Sequence, residues 1–268
     1  MSDRQIAAGE ATYSYLEAGN GVPLVLLHGI GSAARSFQAQ LDALSARYRV
    51  LAWNAPGYAG SSPLPQPHPD AGAYAVALEQ FLDALGITAC HLLGHSLGTL
   101  MATRFAATHP ARVLSLTLSS IAAGHAKLSE DERNGLLRQR LDDVAQLGAA
   151  AMAEKRGPRL LAPQATPDMV RRVVETMSAV RPDGYAQAAR MLSTGDIAAD
   201  ILRLPADMPV QIIVGDADVI TPPERNRSIA ALRPGTPLHV IPEAGHALYL
   251  ERPAQFNELV ESFIATRR

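Results

Sequence analysis

Ala89-Cys90-His91-Leu92-Leu93-Gly94-His95-Ser96-Leu97-Gly98 carries an apolar run directly into a serine held between two glycines. The residues that follow, Leu97 to Thr108, place apolar side chains at three- and four-residue intervals and stop before Pro110. That spacing predicts a helix closed by proline, so the expected order is strand, tight turn, helix, with Ser96 at the turn. A turn this sharp forces its central residue into a strained backbone conformation. It also leaves no room for side chains two residues before and after, the positions of Gly94 and Gly98. The Ser96 hydroxyl is then expected to stand clear of the sheet, above a helix N-terminus whose amides and dipole favour negative charge. A bare Gly-x-Ser-x-Gly is a weak pattern; its place between strand and helix makes Ser96 a candidate nucleophile.

The rest of the chain reads as a frame for that turn. Gln5 to Ala8 and Ala11 to Glu17 are strand-like, with Gly9-Glu10 as a hairpin turn. Continuous apolar runs at Pro23 to His28, Tyr48 to Trp53, Ala89 to Leu93, Val113 to Leu118, Val210 to Val214 and Leu238 to Ile241 are those of strands covered on both faces. Helical spacing lies between them, at Ala33 to Ala46, Ala73 to Leu85, Leu97 to Thr108, Pro223 to Leu232 and Pro253 to Ile264. Strand alternating with helix predicts an α/β fold, a mostly parallel central sheet with helices on both faces. Between about Ala122 and Ile201 no strand is evident. Ser129-Glu130-Asp131-Glu132 has the form of a capping box that should open a long helix, Thr166-Pro167-Asp168 opens a second and Pro182-Asp183-Gly184 a third. This predicts a helical cap, residues 122–195, inserted into a core domain of residues 1–121 and 196–268.

The 268 residues carry a formal net charge of −2, with 47% hydrophobic and 19% charged residues. This is the balance of a globular protein with a sizeable core, and it points to no nucleic-acid or membrane partner. Arg267-Arg268 is too short for a basic arm. The single cysteine, Cys90, allows no intrachain disulfide and is expected to be a buried, inert thiol. No Cys/His spacing suggests a metal, no cofactor is called for, and no leader or membrane span is visible, so a cytoplasmic protein is expected. Monomer and homodimer both remain open.

A serine needs a base to take its proton. Among eight histidines, His246 stands out because Pro242-Glu243-Ala244-Gly245-His246 follows the last strand, and residues at the carboxyl ends of parallel strands gather along one edge with Ser96. His95 sits inside the turn and can line a pocket. His91 reads as core, His68, His109 and His125 as loop or end positions, and His239 as a strand residue short of the site. A carboxylate must fix the imidazole tautomer. Asp216 and Asp218 compete after the strand Val210 to Val214; Asp218 is favoured because the turn needs a few residues to bring its carboxylate beneath the histidine. The order Ser, Asp, His fits this class of fold.

Acyl transfer passes through an oxyanion, whose charge needs donors already in place. The amide of Leu97 is one candidate. The amide of Ile30, in His28-Gly29-Ile30-Gly31-Ser32, is the other, with Gly29 and Gly31 allowing close approach of backbone to substrate. Gly29, Gly31, His95 and His28 are assigned to the substrate pocket, His28 chiefly as a support for its loop. Asn54 to Ser61 reads as a shaping loop rather than a chemical one.

Taken together, His28 to Gly31, Asn54 to Ser61, Gly94 to Gly98, Gly215 to Asp218 and Gly245-His246 resemble the motifs of the α/β-hydrolase superfamily over nearly the whole chain. The resemblance independently favours Asp218, three residues after Gly215. Asn54-Ala55 departs from the family, in which many members carry Asp and an arginine or leucine before Pro-Gly. Within the superfamily, Asp183-Gly184-Tyr185-Ala186, Gly195-Asp196-Ile197, Pro242 to His246 and Glu251-Arg252-Pro253 are similar to 3-oxoadipate enol-lactonases and related carboxylesterases. Serine rather than aspartate at position 96 argues against dehalogenases and epoxide hydrolases. Ala247-Leu248-Tyr249-Leu250 lacks the Trp that many meta-cleavage-product hydrolases carry after the histidine.

The resemblance implies a hydrolase of a small carboxylic ester or lactone that works through a Ser96 acyl-enzyme, with a roof of Leu, Met and Ala side chains from the cap. Cap arginines such as Arg159 or Arg190 either anchor a substrate carboxylate or are simply solvated. Carbon–carbon bond hydrolysis of ring-fission products is the alternative reaction, a cofactor-free perhydrolase side activity is conceivable, and a silent ligand-binding module is the alternative of another class.

Overall fold

The computed structural model describes residues 3–266, so Met1, Ser2 and the Arg267-Arg268 tail lie outside the described residues. Eight strands form one sheet: β1 (Arg4–Ala8), β2 (Ala11–Ala18), β3 (Val22–Leu27), β4 (Tyr48–Trp53), β5 (Cys90–His95), β6 (Val113–Ser119), β7 (Val210–Gly215) and β8 (Leu238–Ile241). Their order is β1-β2-β4-β3-β5-β6-β7-β8. β2 pairs antiparallel with both of its neighbours, and every other pairing is parallel. This is an α/β-hydrolase fold, and its parallel strands end along one edge.

The helices are α1 (Gln38–Leu44), α2 (Ala71–Ala84), α3 (Leu97–Thr108), α4 (Glu130–Asp142), α5 (Gly148–Arg156), α6 (Pro167–Ser178), α7 (Pro182–Thr194), α8 (Ile197–Ile201), α9 (Pro223–Ala231), α10 (Leu248–Glu251) and α11 (Pro253–Ala265). Both faces of the sheet are covered, and the strand period of two divides the core accordingly. Val25, Leu27, Leu51, Trp53 and Leu92 pack with Phe81 of α2 and Phe105 of α3. Leu24, Leu26, Val50, Ala52 and Leu93 pack with Leu41 of α1 and Phe256 of α11.

The helices α4 to α7 follow β6 and precede α8 and β7. Ser129 and Glu132 form the expected capping box at the start of α4, and the Thr166 hydroxyl accepts the Met169 amide at the start of α6. The chain leaves the sheet at Gly124 and returns at Gly195, and these two cross in close contact. A Cβ on Gly124, whose φ is +77°, would lie 2.0 Å from the Gly195 carbonyl oxygen.

Two helical expectations need correction. Ala33 to Ala46 is not one helix: a 3₁₀ turn at Ala34–Phe37 precedes α1, because the Ala34 amide is held by Asn54 Oδ1 at 2.8 Å while Phe37 is fully buried against Tyr249. The long helix after Ser129 breaks at a π-type turn, Asp143–Leu147, which ends at Gly148 with φ +73°. Asp143 there takes Lys155 and Arg156 from the next helix, an interaction across the break that leaves no periodic signal in sequence.

Candidate active site

β5 ends at His95 and α3 starts at Leu97, which leaves Ser96 alone between them at φ 52°, ψ −118°. That conformation is costly for a side-chain-bearing residue and persists only where its surroundings enforce it. Here the Ser96 amide donates to the Ser119 carbonyl of β6 at 2.9 Å, and the Ser96 carbonyl accepts the Thr99 hydroxyl at 2.6 Å. A Cβ on Gly94 would lie 2.4 Å from the Gly98 carbonyl oxygen, and one on Gly98 would lie 2.2 Å from the Leu27 carbonyl oxygen. The two glycines therefore set the sharpness of the turn and its seat against β3.

β7 delivers the acid. Asp218 is buried, and its two oxygens receive four donors: the Ile220 amide at 2.9 Å, the Thr221 amide at 2.8 Å, the Thr221 hydroxyl at 2.7 Å and His246 Nδ1 at 2.9 Å. Burial alone raises a carboxyl pKa, but the His246 charge and these hydrogen bonds outweigh it and hold Asp218 well below the usual carboxylate range. Asp216, the competing acid, is exposed, and its carboxylate accepts the Ala244 amide at 3.3 Å, which ties down the His246 loop instead.

His246 sits beyond β8 in a loop clamped from two sides. A Cβ on Gly215 would lie 2.1 Å from the Ala244 carbonyl oxygen, and one on Gly245 would lie 2.6 Å from the Ala162 nitrogen. The buried Glu251 carboxylate accepts the Gly245 amide at 2.8 Å and the Ala162 amide at 2.7 Å. The Ala247 amide donates to the Leu160 carbonyl at 2.8 Å. The His95 ring lies beside His246, with centroids 4.9 Å apart, and burial foremost holds its pKa well below the ordinary histidine value.

His28 does not line the pocket and is corrected to a support behind it. It is buried, its Nδ1 bonds the Gly29 carbonyl at 2.8 Å, and its Nε2 accepts the Ala55 amide at 3.1 Å. Burial lowers its pKa to about 4, so it is neutral near pH 7. Tyr58 finishes this support, with its ring 4.7 Å from the His28 ring and its hydroxyl donating to the Ile30 carbonyl at 2.8 Å. Among the described residues, neither the Ile30 nor the Leu97 amide has a protein acceptor.

Ser96, Leu97, His246, Gly29, Ile30, Gly31 and His95 all line one cavity of about 450 Å³. Thr221, Tyr249 and His125 line it too, and the sequence gives none of them a place in the site; Thr221, three residues past Asp218, is the one a search around the acid would meet. Among the described residues no three potential metal ligands cluster, and no helix is long and apolar enough to cross a membrane.

Residues 22–253 match the family described as alpha/beta hydrolase fold. The chain belongs to the α/β-hydrolase fold family. This hydrolase is 29% identical to a 2-hydroxy-6-oxononadienedioate/2-hydroxy-6-oxononatrienedioate hydrolase of a Pseudomonas species, over 93% of this chain and 90% of that one. It is 31% identical to a pimeloyl-[acyl-carrier protein] methyl ester esterase of Aeromonas hydrophila, over 92% and 96%. Its fold is similar to that of a Thermogutta terrifontis esterase, with TM-score 0.89 at 24% identity over 99% of each chain. It is also similar to that of a Burkholderia xenovorans enol-lactonase, with TM-score 0.87 at 21% identity over 98% of this chain and 100% of the other. The α/β hydrolase thus resembles a dienedioate hydrolase and a methyl ester esterase in sequence, and an esterase and an enol-lactonase in fold.

Proposed function

We propose that this α/β hydrolase cleaves a small carboxylic ester or lactone through an acyl-enzyme on Ser96, with residues 122–195 as a cap over the site. The observation that carries the reading is the 2.9 Å contact between Asp218 and His246 Nδ1, on a ring that faces the cavity lined by Ser96. With Nδ1–H committed to Asp218, Nε2 is the free basic nitrogen. Ser96 Oγ attacks the substrate carbonyl carbon and passes its proton to Nε2. The carbonyl oxygen becomes an oxyanion held by the Ile30 and Leu97 amides, each worth roughly 3 kcal/mol in the transition state. Collapse breaks the bond to the leaving oxygen, which takes the proton from His246. Water then yields a proton to Nε2, attacks the acyl carbon and releases the acid with Ser96 restored.

A panel of p-nitrophenyl esters, enol-lactones and ring-fission products tests this reading. Ester or lactone turnover is expected, and Ser96→Ala should reduce it by about 10⁵-fold or more. Turnover confined to ring-fission products would move the reaction to carbon–carbon bonds. Undiminished ester turnover in Ser96→Ala would overturn the acyl-enzyme.

A further inference from the structure

The cavity holds more positive charge than acyl transfer uses. Arg140, Arg156, Arg159 and Arg225 line it, and neither an aspartate nor a glutamate does. Arg156 is matched by Asp143. Among the described residues, Arg225 Nη1 reaches only the Ile220 carbonyl, at 3.3 Å. Arg140, on α4, is half-buried, and among the described residues neither its side chain nor that of Arg159 has a hydrogen-bond or ion-pair partner.

The His125 ring lies within the fields of Arg140 and Arg225. Its Nδ1 is buried with no hydrogen-bond partner among the described residues. A buried polar atom left unpaired costs roughly 1–3 kcal/mol, so native structures leave one chiefly where something else completes it. Burial foremost, then the charges of Arg140 and Arg225, lower the His125 pKa. With its pKa lowered, the ring offers a polar atom to an incoming anion without adding to the positive charge of Arg140 and Arg225. The apolar side chains Leu97, Leu128, Leu136, Leu160, Met177 and Leu192 line the same cavity.

We infer that the substrate carries a second carboxylate, remote from the scissile carbonyl, and that Arg140, Arg225 and His125 receive it, with Arg159, exposed like Arg225, lining the same cavity. The inference rests on the proposed acyl transfer and specifies its substrate class: a monoester or lactone of a dicarboxylic acid, with an apolar spacer against those apolar side chains. Guanidinium–carboxylate pairing is strong and directional where water is partly excluded, and the cavity volume is that of a small-molecule site.

The test compares kcat/KM for mono-p-nitrophenyl adipate with that for p-nitrophenyl hexanoate, which replaces the terminal carboxylate by a methyl group. The wild type should favour the anionic ester by about tenfold or more. The preference should fall towards unity in Arg140→Gln/Arg225→Gln and persist in Arg203→Gln, an exposed position outside the cavity lining. Free adipate should also inhibit hexanoate hydrolysis competitively in the wild type, a readout that does not depend on the double variant folding. Equal or reversed preference in the wild type, without inhibition by adipate, would overturn the carboxylate site even if a fluorophosphonate probe labels Ser96. If the probe does not label Ser96, the acyl-transfer reading fails separately. Adipate binding by calorimetry, lost in the double variant, would then still support the anion site, and its absence in the wild type would end it.

Discussion

Asp218 illustrates how single residues carry the site. Four donors converge on its carboxylate, so it stays ionised far into acid and keeps the His246 proton on Nδ1. Asp218→Asn replaces one acceptor oxygen with a donor and favours the wrong tautomer, and kcat on a p-nitrophenyl ester should fall by about 10⁴-fold while circular dichroism remains native. A fall of less than tenfold would mean that another group orients the imidazole. His28 makes a different prediction. Its folded pKa, about 4, lies below the ordinary 6.5, so the neutral form stabilises the fold above about pH 6.5. That contribution, about 3 kcal/mol, is lost as pH falls from 6.5 towards 4. In urea unfolding, the gap between wild type and His28→Gln should therefore narrow from pH 7 to pH 4.5. A gap that does not change with pH would contradict the neutral buried role.

Among the elements, the contact between the β4 loop and α7 governs how the helices after β6 sit on the sheet. A Cβ on Gly184 would lie 2.1 Å from the Gly57 carbonyl oxygen, next to Tyr58, whose hydroxyl holds the Ile30 carbonyl. Gly184→Ala should cost about 1–3 kcal/mol in thermal unfolding and also lower kcat, since it pushes against the loop behind the Ile30 amide. An unchanged melting temperature would show that α7 moves away freely. Elements differ in how far the sequence makes them legible. β4, β8 and α3 fall where apolar runs and spacing put them, because those signals are local. The site was legible where a motif compresses it into a few residues, as at Gly94 to Gly98 and Gly215 to Asp218. It was illegible where a function rests on distant chain segments. Tyr58 against Ile30, Glu251 against Ala162, and His125 with Arg140 on one cavity lining are made by folding and leave no periodic trace. α10 was also missed, being only four residues long, too short to show a helical period.

At the scale of the whole molecule, the formal charge of −2 conceals a local reversal, an arginine-lined cavity in a slightly acidic protein. Such a field draws anions in and is screened by salt. The kcat/KM for mono-p-nitrophenyl adipate should fall several-fold between about 0.02 and 0.5 M salt, while that for p-nitrophenyl hexanoate stays nearly flat. Parallel responses would place the arginines outside the substrate's path. These effects all presuppose covalent chemistry at the turn between β5 and α3. Tandem mass spectrometry of the fluorophosphonate-treated protein tests that most directly. One adduct is expected, on Ser96, and it should be lost when the protein is first unfolded. An intact protein that stays unmodified, or an adduct on another serine, would contradict it.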